Sequence, residues 1–100
     1  LSYQIVWSES ALERIEEILD FLAEEQAFAR RAVDDLFDRV QVLAEFPRMG
    51  RPLNDEVEPD LRRFVFGEYV LLYRIEERTQ TISIGAVRHF RQRSLRGEDL

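Results

Sequence analysis

The hydrophobic period of this chain changes from helical to strand-like at Phe46-Pro47, and that change limits the folds open to it. Before it, Ala11, Leu12, Ile15, Ile18, Leu19 and Leu22 recur at spacings of three and four. Ala29, Ala32, Val33, Leu36, Phe37, Val40, Leu43 and Ala44 do the same. Each set marks an amphipathic helix. After it, residues 61–66, 69–75 and 81–87 are short runs rich in β-branched and aromatic side chains, and these read as strands. Residues 3–7 form one more such run ahead of the first helix. Ser8 is placed to cap that helix, with Glu9 in its first turn. Pro47 ends the second helix, because proline disfavours helical geometry in the residue before it.

The predicted order is therefore β-α-α-β-β-β. The break between the helices is short, so they should form an antiparallel hairpin. Packing that hairpin on one face of a sheet buries both apolar stripes. The expected fold class is α+β: a helical hairpin on one face of a mainly antiparallel four-stranded sheet, in a single domain over residues 1–100. Residues 47–59, with Gly50 and three prolines, read as irregular. Gly67-Glu68 reads as a tight turn, and residues 76–80 as a looser one. The run 69–75 is apolar on both faces and should be the central strand.

Charge is unevenly spread. The net charge is −6, yet residues 1–47 hold 11 acids and 4 arginines whereas residues 48–100 hold 9 acids and 10 arginines. Overall acidity argues against non-specific nucleic-acid binding but allows a local basic site in the second half. Every basic residue is arginine, which stays protonated and cannot serve as a general base at neutral pH. With no cysteine there is no disulfide, thiol nucleophile or thiolate metal site. With one histidine, His89, a zinc site is not expected, and neither is a cofactor. No apolar run is long enough for a membrane helix, so no membrane partner is expected. No export signal is seen, which points to the cytoplasm.

Four pieces of sequence carry a family resemblance. A strand runs into W-S-x-x-A-x-x-x-I, with Trp7, Ser8, Ala11 and Ile15. A helix end runs into F-P-x-M-G-R-P, from Phe46 through Met49 and Gly50 to Pro52. L-R-x-F follows at Leu61, Arg62 and Phe64. Y-x-L-x-Y-R-I spans Tyr69, Leu71, Tyr73, Arg74 and Ile75. In this order and spacing the chain resembles the RelE/ParE toxin superfamily, and the second and fourth pieces resemble its ParE branch more closely.

The resemblance implies the toxin of a type II toxin–antitoxin module, of the plasmid-stabilisation or stress kind, wrapped by a cognate ParD-like antitoxin. ParE-branch members inhibit DNA gyrase. RelE-branch members cleave mRNA on the ribosome. A toxin-fold protein that is not toxic and only accompanies its antitoxin is a third reading. The nuclease reading would draw on Arg63, Arg74, Arg88 and His89. It lacks the branch's lysines, and the arginine that nucleases carry in the middle strand falls at Val70. Catalytic residues are assigned only under the nuclease reading, which would make the chain an endoribonuclease; the binding reading needs no enzyme activity. For a binding toxin, the expected contacts with target or antitoxin are Arg62, Arg63, Arg88, Arg91, Arg93 and Arg96. Arg62 and Arg63 should point to opposite faces of their strand, one outward and one pairing with a carboxylate of the helical layer. Phe64, Tyr69 and Tyr73 read as sheet core, and the acidic face of the first helix as a solvated surface.

Overall fold

The computed structural model describes residues 2–21, 26–54 and 56–89. Strand β1 (Gln4–Trp7) leads into helix α1 (Glu9–Phe21), and α2 (Gln26–Val40) follows. After Gln41 a single further turn, α3 (Val42–Glu45), continues to a 3₁₀ turn at Pro47–Met49. Four strands complete the chain: β2 (Arg51–Asn54), β3 (Glu58–Phe66), β4 (Tyr69–Glu76) and β5 (Thr81–His89). Ser8 caps α1 as expected, its Oγ accepting the Ala11 N–H at 3.0 Å.

The α+β class holds, but the sheet has five strands, in the order β1-β5-β4-β3-β2. The extra strand, β2, lies in the stretch expected to be irregular. It pairs antiparallel with β3, Arg51 opposite Arg63 and Pro52 opposite Arg62. As an edge strand it tolerates Pro52. β3 also starts earlier than expected, at Glu58. The β3–β4 and β4–β5 pairs are antiparallel, whereas β1 runs parallel to β5, Gln4 opposite Thr81 through Trp7 opposite Ile84. The second predicted helix is divided at Gln41 into α2 and α3. Gly67, with φ +58°, makes the β3–β4 turn in a conformation that suits glycine.

β4 is the central strand. Its residues Tyr69, Leu71, Tyr73 and Ile75 face the helices and join Ile15 and Ile18 of α1 and Leu36 and Val40 of α2 in one core. Each large side chain so buried stabilises the fold by about 1.5–3 kcal/mol. Edge-to-face contact of Trp7 with Phe37, centroids 4.7 Å apart, ties β1 to α2. Gly85 is an extra residue in β5: Leu72 faces Ala86 while Tyr73 faces Ile84. This bulge bends β5 where β1 stops pairing with it.

Candidate functional site

Among the described residues the helices pack on one face of the sheet, and the other, the open face, carries no helix. Strand alternation assigns residues to each. With Tyr69, Leu71, Tyr73 and Ile75 on the helix side, Val70, Leu72, Arg74 and Glu76 lie on the open face. The register adds Leu61, Arg63 and Val65 from β3, Thr81, Ser83, Ala86 and Arg88 from β5, and Arg51 from β2.

Four arginines thus share a face to which Glu76, and Glu58 through its bond to Arg74, bring carboxylates. Glu76 is bound to the Ser83 hydroxyl at 2.5 Å. Arg74 is held by Glu58 at 2.7 Å. Arg51 and Arg63 stand directly opposite each other, an arrangement that repels, and among the described residues no carboxylate pairs with either. Beside them Val65 is 52% exposed, as is Met49. These two line a shallow cavity of about 290 Å³ together with Arg51 and Arg63. Val70 lies opposite Arg88 and is buried. An apolar strip edged by guanidinium groups can receive an amphipathic acidic segment. The same cations could hold a phosphate chain.

The helix-side face uses its polar groups differently. Tyr73 Oη donates to the Pro47 carbonyl at 2.6 Å and accepts the Gly50 N–H at 2.9 Å. Burial pushes the Tyr73 phenol above its ordinary pKa, so it stays protonated and can do both. Gly50 must be glycine, because a Cβ there would lie 2.7 Å from both the Arg63 carbonyl and Tyr73 Oη. Arg62 donates to the carbonyls of Gly50 at 2.8 Å, Arg48 at 3.1 Å and Pro59 at 3.1 Å. Pieces of the three later motifs therefore meet in one structural joint that fastens the 3₁₀ turn to the sheet.

Of the residues singled out from the sequence, Arg63, Arg74 and Arg88 come together on the open face. Arg62 does not. It is turned to the other side as alternation requires, but it binds backbone carbonyls, and the expected pairing with a carboxylate of the helical layer is not formed. Tyr69 and Tyr73 are core residues, 4% and 1% exposed, and Phe64 packs against that core. His89 ends β5 opposite Tyr69. Its side chain, and Arg91, Arg93 and Arg96, lie outside the described residues. Among the described residues no group of three His, Cys, Asp or Glu could hold a metal ion, and no helix is long and apolar enough to cross a membrane.

Two features escaped the sequence reading. Arg51 was masked by the assignment of its segment to a loop. Arg14 sits on α1 three residues after Ala11 and four before Ile18, inside the apolar stripe. An arginine in that stripe was a signal. Its side chain is 14% exposed, with Nε bonded to Glu17 at 3.2 Å.

A family model described as ParE toxin of type II toxin-antitoxin system, parDE, matches residues 5–93. No curated protein sequence matches the chain. Solved structures share its fold, three of them as follows. The RelBE2 toxin–antitoxin complex from Mycobacterium tuberculosis aligns with TM-score 0.64 and 24% identity, over 89% of this chain and 99% of that one. The chromosomal ParDE system from P. aeruginosa aligns with TM-score 0.71 and 18% identity, over 87% and 95%. The isolated E. coli RelE toxin aligns with TM-score 0.61 and 16% identity, over 87% and 83%.

Proposed function

The chain belongs to the ParE toxin family of type II toxin–antitoxin systems, and from that premise we propose that it inhibits DNA gyrase by binding it, and that a ParD-like antitoxin neutralises it. The observation that carries this reading is the open sheet face: Arg51 opposite Arg63 with no carboxylate partner among the described residues, beside exposed Val65 and Met49, on a chain of net charge −6. Such a face suits an amphipathic helix with acidic flanks, laid with its apolar side down. Desolvating two facing guanidinium groups is favourable only when carboxylates replace the water, which selects an acidic partner.

Binding rather than hydrolysis is the reading the same face supports. RNA cleavage through the 2′-hydroxyl needs one group to take a proton, another to return it, and cations at the phosphate. Val70 stands opposite Arg88, where a nuclease would place a second cation. The runner-up, an mRNA endonuclease acting on the ribosome, draws on Arg63, Arg74 and Arg88 sharing one face.

Purified toxin added to gyrase should block supercoiling or accumulate cleaved DNA. No effect on gyrase, together with mRNA cleavage on ribosomes that is lost in Arg63→Ala, Arg88→Ala and His89→Ala, would replace this reading with the runner-up. Absence of growth arrest on induction without antitoxin would support the non-toxic alternative.

A further inference from the structure

We propose that a small cavity between α1 and the free end of β5 is a carboxylate site, filled by an acidic side chain on an extended segment of the partner antitoxin. The cavity, about 140 Å³, is lined by Ser10 and Arg14 of α1, by residues 85–88 of β5 including Arg88, and by Val70. This inference rests on the antitoxin reading above but concerns a different place from the Arg51–Arg63 strip.

Three observations converge there. First, Arg88 Nε is shielded from solvent and, among the described residues, no acceptor reaches it. A guanidinium N–H in that state favours any acceptor that enters, and a carboxylate accepts through both oxygens. Arg14, whose Nε is bonded to Glu17, lines the same cavity from α1. Second, the neighbouring backbone is an open strand edge. β1 pairs with β5 only as far as Ile84, where the Ser8 N–H binds the Ile84 carbonyl at 2.9 Å. From Gly85 onward β5 is paired, among the described residues, with β4 alone. A free edge recognises extended peptide, whose own N–H and C=O groups can align with it. Third, size and charge discriminate. The space admits a side-chain carboxylate but not a run of nucleotides. Glu9, Glu13 and Glu16 are exposed on the same helix as Arg14 and repel a polyanion.

The test is amide and arginine Nε NMR on the full ¹⁵N-labelled chain, titrated with a blocked peptide of sequence Val-Glu-Val-Glu-Val. The glutamine counterpart and a single-stranded RNA hexamer are the comparison probes. The glutamate peptide should shift the amides of residues 85–88 and the Arg88 Nε–H signal. Its affinity should exceed that of the glutamine peptide by about tenfold, the worth of one charge-assisted hydrogen bond. Arg88→Gln and Arg14→Gln should each lower it by a similar factor, and Arg88→Lys should recover part of the loss. Equal binding of the two peptides, an absence of shifts at residues 85–88, or stronger shifts there with RNA would overturn the proposal. The peptide comparison uses the unaltered chain, so it does not depend on any variant folding. A failed titration beside intact growth arrest would leave the toxin reading standing, and inactivity on gyrase beside a successful titration would leave the carboxylate site standing.

Discussion

Arg62 and Arg63 are adjacent in β3 yet belong to different parts of the protein. Arg62 turns to the helix side and gives its donors to the carbonyls of Arg48, Gly50 and Pro59. Arg63 turns to the open side, faces Arg51, and among the described residues meets no acid. The contrast extends to whole faces. On the helix side Tyr73 and Arg62 give their polar groups to backbone partners, so their work is done within the chain. On the open side like charges oppose each other next to exposed apolar groups, a local conflict that folding alone does not require. Such conflicts between local rules and the fold mark places kept for another molecule.

If that division is right, changes at the helix-side joint should unfold the protein and leave nothing specific to learn about binding. Gly50→Ala should have the largest effect. The new Cβ would meet a backbone carbonyl that cannot move aside, and overpacking of this kind costs about 3 kcal/mol. Thermal unfolding should fall by more than about 10 °C for a chain of this size. Tyr73→Phe comes next. It leaves the Gly50 N–H and the Pro47 carbonyl without their shared partner, at a cost of about 2 kcal/mol, readable in urea unfolding. A Tyr73→Phe protein as stable as the parent would remove the joint from the account.

Open-face changes should behave in the opposite way. Arg63→Ala relieves the repulsion with Arg51, so stability should stay within about 0.5 kcal/mol of the parent or rise slightly. Rescue of growth by co-expressed antitoxin should weaken all the same. Substantial destabilisation by Arg63→Ala, with rescue intact, would erase the distinction between the faces.

The parts of this arrangement that were legible in the sequence are those set by local periodicity. The helices, the central place of β4 and the opposite facing of Arg62 and Arg63 follow from spacings of 3.6 and 2. β2 was not legible, because Arg51-Pro52-Leu53-Asn54 is short, contains proline and lacks alternation. It becomes a strand only because β3 lies beside it. The parallel pairing of β1 with β5 joins residues more than seventy positions apart, and no local pattern encodes it. The site divides the same way. Alternation predicted that one of Arg62 and Arg63 would face outward but not which, and the confrontation of Arg63 with Arg51 depends on a strand pairing. The Arg62 donors end on carbonyls of a turn whose position follows from tertiary packing. The motifs that identified the family proved to be mostly this joint, so they inform about fold more than about target.

The smallest expected effect lies at the rim, where the two regimes meet. Glu77, in the β4–β5 turn, accepts the Tyr3 hydroxyl and pairs with Arg48 Nη2 at 2.5 Å. The Tyr3 hydrogen bond first, and then Arg48, hold the Glu77 carboxyl below the usual carboxylate range. The unfolded chain therefore takes up a proton at Glu77 before the folded one does. The stabilisation is complete above the ordinary glutamate range and is lost as pH falls through the lower, folded-state value. Because the group is exposed, solvent screens the pair and the contribution is small. Glu77→Gln should lower the neutral plateau of a stability-versus-pH curve slightly and flatten its acid limb by the same amount, the two proteins converging at low pH. It should also leave antitoxin rescue intact, since Glu77 holds the 3₁₀ turn from outside and contributes nothing to the open face. A change in rescue with an unaltered acid limb would mean that the rim is part of the binding surface, and the boundary between the two regions would have to be drawn further out.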